Sequence, residues 1–195
     1  MSEYQPGAAP TIDGLKQTLE AVYAAGGLVV GSIGRAAIFA HMGLDPHMEF
    51  TERARLTKQH EELLAKPDGT PRDVDVIGPY DFTTNLPELP HPVDPTIARV
   101  LMIVKQESGQ WDYVDFSSAV HTLNPDCFTP IQCEFEGISC VTVRPATHLI
   151  LARSFSKYTV GRNLLIDHLP PDEWSFLDSG AYGPLWSPYL RRKRT

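Results

Sequence analysis

Leu28-Val29-Val30-Gly31-Ser32-Ile33-Gly34-Arg35 opens on three apolar residues and passes through a glycine-rich stretch into Ala36-Ala37-Ile38-Phe39-Ala40-His41. The apolar run has the length of a short buried strand, Gly31 to Gly34 reads as a tight turn, and Arg35 to His41 is built from helix-compatible residues. Glycine lets a backbone approach a ligand closely, and a helix that starts there offers N–H groups and the positive end of its dipole to an anion. Gly31 and Ser32 are therefore candidate phosphate-binding residues, with the Ser32 hydroxyl as a further donor. Arg35, one helical turn along, is a third candidate. The plain alternative is a structural turn followed by a surface arginine. The stretch lacks the Lys-Ser/Thr ending of a P-loop and the first-gap spacing of a dinucleotide fingerprint, which disfavours an ATPase or a dehydrogenase.

Working outward, Leu15, Leu19, Val22 and Tyr23 recur at helical spacing before Gly26-Gly27, and predict a helix that packs ahead of the strand. After the strand-turn-helix unit, residues 45–71 are charged, with Leu56, Leu63 and Leu64 as sparse apolar positions, and read as an exposed helical insertion ended by Pro67-Asp68-Gly69. Val74, Val76 and Ile77 mark a second strand. Pro79 through Pro95 is proline-rich and reads as an extended surface connection. Strands are expected over Arg99 to Lys105 and Trp111 to Phe116, and a hairpin over Gln132 to Phe135 and Ile138 to Val143, around Glu136-Gly137. Helices should follow from Pro145 and around Leu164 to Leu169, and residues from about 170 onward read as an irregular segment packed on the body. The expected fold is one α+β domain over residues 1–195, with a mixed sheet flanked by helices and its core between about 12 and 168.

In Arg72-Asp73-Val74-Asp75-Val76, strand alternation sends Asp73 and Asp75 to one face while Val74 and Val76 point to the core. Solvated acids on an edge strand are the plain reading of such a pair. Asp115 adds weight, because Tyr113-Val114-Asp115-Phe116 sets a carboxylate among apolar neighbours, where an uncompensated charge is costly. Three carboxylates converging from two neighbouring strands repel one another unless cations lie between them, and hard oxygen ligands suit Mg²⁺ or Mn²⁺. Two such ions can activate an acceptor hydroxyl and steady a leaving pyrophosphate in an in-line displacement.

The remaining features are read conservatively. With 17 basic and 24 acidic residues the 195-residue chain carries a formal charge of -7, which opposes nonspecific attraction to nucleic acid or anionic lipid. The basic run Arg191-Arg192-Lys193-Arg194 reads as a solvated tail. Met1 to Pro10 lacks the features of a secretory signal and no apolar run reaches roughly 20 residues, so a cytoplasmic protein that makes no membrane contact is expected. Cys127, Cys133 and Cys140 read as buried free thiols, the seven histidines as surface or packing residues, and Lys157 and Arg162 as solvated cations.

Taken together, Gly31-Ser32, Asp73-Val74-Asp75 and Asp115 resemble the pattern of the DNA polymerase beta-like nucleotidyltransferase superfamily, over roughly residues 28 to 168. The strand Ile138 to Val143, running through Arg144-Pro145 into a helix, is similar to the branch of toxin–antitoxin and abortive-infection nucleotidyltransferases. The resemblance implies a compact mixed-sheet fold, magnesium, and transfer of a nucleotide from an NTP to an acceptor hydroxyl with release of pyrophosphate. It implies Asp73 and Asp75 as shared metal ligands, with Asp115 as the acid beside the attacking group. The separation between Ser32 and Asp73 exceeds the superfamily's usual one, which makes 45–71 an insertion that could cover the nucleotide or bind a protein partner. The acceptor is left open between a small molecule, a protein side chain and an RNA end. Two other readings stand beside this one: a non-catalytic regulatory or antitoxin-like binding protein of the same fold, and a metal-dependent phosphoester hydrolase.

Overall fold

The computed structural model describes residues 11–50, 61–65, 72, 74–79, 100–105, 111–114, 120–153 and 159–187. The Thr11 side chain accepts the Gly14 N–H at 3.1 Å and starts α1, Ile12–Ala24. Leu15, Leu19 and Val22 lie buried along one face of it, whereas Tyr23, expected on that face, turns outward and is 57% exposed. Gly26 turns left-handed and leads into β1, Leu28–Val30, all three residues of which are buried. A continuous apolar run of this kind suits a strand covered on both faces.

No turn separates β1 from the next element. Gly31, at φ +64°, is already the first residue of α2, Gly31–His41, so a single left-handed residue replaces the expected four-residue turn. Gly34 then lets α2 cross β1 at contact distance: a Cβ there would sit 2.5 Å from the Val29 carbonyl oxygen.

β1 lies inside a seven-stranded mixed sheet with β2 (Asp75–Pro79), β3 (Val100–Lys105), β4 (Trp111–Val114), β5 (Val120–Leu123), β6 (Ile131–Phe135) and β7 (Ile138–Thr142). The order is β5-β4-β3-β2-β1-β7-β6. β1 runs antiparallel to β2, with Val30 opposite Asp75, and parallel to β7, with Val29 opposite Thr142. β2 and β3 are parallel, and β3–β4, β4–β5 and β6–β7 are antiparallel. Glu136 (φ +52°) and Gly137 (φ +74°) close the β6–β7 hairpin, both left-handed as a two-residue turn requires. The helices are α3 (Glu61–Leu64), α4 (Pro145–Arg153), α5 (Thr159–His168) and α6 (Pro171–Asp178). The chain is thus α+β with a mixed sheet. Among the described residues no helix is long and apolar enough to cross a membrane.

Three expectations change. Where residues 45–71 are described, Glu61–Leu64 is helical as expected, but the stretch is not simply exposed: Asp45 caps a 3-10 turn over Pro46–Glu49, and Phe50 and Leu63 are buried in the core. The stretch after residue 170 is not irregular but begins with α6, whose Pro171 at the first turn and Asp172 and Glu173 next to it are ordinary helix-start chemistry. β5 was not foreseen, because Val120-His121-Thr122-Leu123 is short and carries no turn signal before it. The connection expected from Pro79 to Pro95 lies, past Pro79, outside the described residues.

The C-terminal helix is tied down by charge. Glu173 accepts hydrogen bonds from the Arg144 guanidinium at 2.8–3.1 Å and from the Ala146 N–H at 2.9 Å, while Arg144 stacks 3.4 Å from the Phe176 ring centroid. One carboxylate therefore caps the start of α4 and pairs an arginine. Cys127, Cys133 and Cys140 are buried and unbridged. Burial pushes the Cys133 thiol up to about 11, the Cys127 thiol to about 12 and the Cys140 thiol up as well, which disfavours the thiolate form at neutral pH.

His148 on α4 is buried, with Nε2 2.7 Å from Thr142 Oγ1. Thr142 donates its own proton to the Val29 carbonyl, so Nε2 must carry the hydrogen in this contact. Loss of solvent, and then the charge of Arg35, push the His148 pKa down from 6.5 to about 3. Below pH 6.5 the unfolded chain binds a proton here that the folded chain refuses until about pH 3, so stability should fall as pH drops through that window. His148→Gln, which keeps an N–H donor but does not titrate, should remove roughly 2–3 kcal/mol of the loss between neutral pH and about pH 4.5. Urea unfolding of both proteins at the two pH values measures it, and equal losses would refute it.

Candidate functional site

The register that pairs Val30 with Asp75 brings the end of β1, the start of α2 and the first residue of β2 to one corner of the sheet. Asp75 is half-buried there, and its carboxylate lies directly against Gly31: a Cβ on Gly31 would stand 1.9 Å from Asp75 Oδ2. Only glycine fits both this contact and the left-handed backbone. Val30, the residue before the helix, makes no side-chain cap, so the Asp75 carboxylate is the acidic group set at the positive end of α2.

Ser32 follows on the first turn of α2, and its Oγ accepts a hydrogen bond from Arg72 Nη1 at 3.4 Å. Arg72 was quoted in the sequence as the start of the acidic strand and given no role. Here its backbone N–H donates to the Leu64 carbonyl at 2.8 Å, its Nη2 to the Ala65 carbonyl at 3.2 Å, and its guanidinium lies 4.6 Å from the Phe50 ring centroid. The descending and returning ends of the 45–71 excursion therefore meet at this arginine. A basic residue immediately before an alternating acid pair was the available signal.

Of the six expected site residues, Gly31, Ser32 and Asp75 are brought together. Arg35 is not: its guanidinium turns into the interior and pairs with Glu49, and the two are 2% and 5% exposed. The reason is spatial. Arg35 lies on the face of α2 that packs under the Pro46–Glu49 turn and α5, where Gly161 leaves room; a Cβ there would be 2.2 Å from Glu49 Oε2 and 3.1 Å from Arg35 Nε. Its expected phosphate contact is replaced by a structural ion pair. Asp73 and Asp115 lie outside the described residues. The strands expected to carry the acids are not neighbours, because β3 runs between β2 and β4. At roughly 4.8 Å per strand their backbones are about 10 Å apart.

Hard oxygen donors at a corner that already holds a half-buried carboxylate suit Mg²⁺ better than a softer metal. Among the described residues no group of three His, Cys, Asp or Glu lies close enough to hold a metal, and Asp75 is the one expected ligand they include. The Asp75 carboxylate fills the space that any larger residue at position 31 would take. Comparison with protein-family models, with curated sequences and with solved structures finds no match to this chain.

Two variants test this geometry. Gly31→Ala should cost roughly 2–4 kcal/mol, the sum of left-handed strain and overpacking against Asp75. Gly31→Ala combined with Asp75→Ala should recover only the carboxylate's share of the overpacking in chemical denaturation, since the Asp75 Cβ would still lie 2.8 Å from the new methyl, and strict additivity would show that the carboxylate does not touch position 31. Arg35→Met should cost about 3–5 kcal/mol by stranding the Glu49 carboxylate, and Arg35→Met with Glu49→Leu should regain most of it. A loss below about 1 kcal/mol for Arg35→Met would mean that the pair is solvated.

Proposed function

We propose that this corner binds the polyphosphate of an NTP together with Mg²⁺, with Mn²⁺ as a substitute, and that the protein is a metal-dependent nucleotidyltransferase. The observation that carries the reading is the Asp75 carboxylate packed on Gly31 at the start of α2, which sets a metal ligand beside a helix N-terminus. Beside the carboxylate that fills the space at Gly31, the first turn of α2 offers its N–H groups and dipole, and the Ser32 hydroxyl donates one further bond. Bound there, the metal supplies charge neutralisation between carboxylate and phosphate. On the alternation expected from the sequence Asp73 is the proposed second ligand, and Asp115 is proposed to take the acceptor's proton.

The transfer itself balances simply. An acceptor hydroxyl oxygen forms a bond to the α-phosphorus, the bond from that phosphorus to the bridging oxygen breaks, and pyrophosphate leaves with the electron pair. The acceptor is a small molecule, a protein side chain or an RNA end, and the 45–71 excursion is the surface proposed for a protein partner. The proposed setting is the cytoplasm, and the proposed biological context is that of toxin–antitoxin or abortive-infection systems. If water takes the place of the acceptor, the same corner hydrolyses phosphoesters.

A second reading is favoured by the same contact. A carboxylate at the positive end of a helix whose N-cap residue, Val30, makes no side-chain cap is stabilising in its own right. In that case the corner is structural and the chain is a regulatory or antitoxin-like binding protein.

Thermal stabilisation by each of the four NTPs, with and without Mg²⁺, separates the readings, since a ligand that binds the folded state raises its apparent stability. A Mg²⁺-dependent rise is expected for wild type and should vanish in Asp75→Asn and Asp73→Asn while both variants stay folded. A rise that persists in both would sink the metal-ligand assignment, and no rise with any nucleotide would favour the binding-protein reading.

A further inference from the structure

We infer that Arg72 is the positioning residue of this corner: it holds the Ser32 hydroxyl as a donor aimed at the bound phosphate. The inference rests on the nucleotide reading above. A guanidinium only donates hydrogen bonds. With Arg72 Nη1 3.4 Å from Ser32 Oγ, the serine oxygen is the acceptor of that bond and its proton is directed elsewhere. Accepting a bond from a cation also polarises the hydroxyl and strengthens it as a donor.

The arginine is held more firmly than a surface side chain needs to be. Its backbone N–H is bound to Leu64, its Nη2 to Ala65, and its planar face stacks on the buried Phe50 ring. These contacts come from two separate stretches of the chain and fix the guanidinium plane, which leaves Nη1 at Ser32. A lysine could place a charge near Ser32 but could not bind the Ala65 carbonyl and stack on Phe50 at the same time.

The test is a double-mutant cycle on the full chain, read as the apparent affinity for Mg²⁺-ATP and for Mg²⁺-tripolyphosphate, which has no base or sugar. Ser32→Ala and Arg72→Ala should each weaken both ligands roughly tenfold. The double variant should be no more than about threefold weaker than Ser32→Ala alone, because Arg72 acts through the serine. Arg72→Lys should lie between wild type and Arg72→Ala, and its loss should disappear in the Ser32→Ala background. This second cycle stands if Arg72→Ala does not fold.

Losses that multiply to roughly a hundredfold would overturn the inference, since Arg72 would then contact phosphate itself. Unchanged affinity in Arg72→Lys and Arg72→Ala would overturn it as well. In both cases wild-type binding leaves the nucleotide reading standing. Absence of wild-type binding to either ligand overturns the inference and the nucleotide reading together.

Discussion

The junction of β1 and α2 organises the rest of the molecule. Here the strand becomes a helix without an intervening residue through one left-handed position, Gly31. The missing side chain then has a second use, because the Asp75 carboxylate occupies the space a Cβ would claim. Three residues later Gly34 brings α2 against the Val29 carbonyl and His148. Two glycines on one helical turn thus set the crossing of α2 over the sheet, and everything that packs on α2 inherits that geometry.

The interior behind this junction is unusually polar for a core. Arg35 pairs with Glu49, and His148 bonds Thr142, which bonds the backbone of β1 at Val29. Burying such groups costs desolvation that apolar side chains would avoid, so the network is weak as a source of stability. Its effect is on arrangement. Arg35 joins α2 to the Pro46–Glu49 turn, and His148 joins α4 to β7 and β1 through an imidazole held neutral. Each polar pair has one satisfactory geometry, whereas apolar surfaces can slide, so the network fixes α2 relative to its neighbours.

How much of this was legible in the sequence depends on the range of the signal. Helices α1, α4 and α5 and the β6–β7 hairpin follow from local periodicity, a proline at a first turn and a Glu-Gly turn, and these lie where expected. Gly31 lies against Asp75, with Ser32 next to it in the chain, because the β1–β2 register sets Val30 opposite Asp75. Long-range facts were not legible. Nothing in Arg35 distinguishes an arginine that reaches solvent from one that meets Glu49 fourteen positions later. Sequence order likewise suggests that β2 and β4 are close, but β3 pairs parallel to β2 and separates them. The charged composition of 45–71 concealed Phe50 and read Leu63 as a position on an exposed helix, whereas both are buried and anchor the excursion to the body.

The charge arrangement at the corner bears on what it can accept. The N-terminus of α2 carries the equivalent of roughly half a positive charge, Arg72 adds a full one beside Ser32, and Asp75 subtracts one at Gly31. These three contributions leave a small positive excess of about half a charge. Such an excess attracts one anionic group weakly and is far too small to balance a triphosphate. The carboxylate, which hinders a bare anion, becomes an advantage only when a divalent cation arrives with it, because the ion is then shared between carboxylate and phosphate. The nucleotide reading proposed above therefore calls for a metal-bound polyphosphate, not the free anion, at a corner of this composition. That preference follows from the position of Asp75 at a glycine, where the carboxylate meets the helix end directly and nothing larger can stand between them.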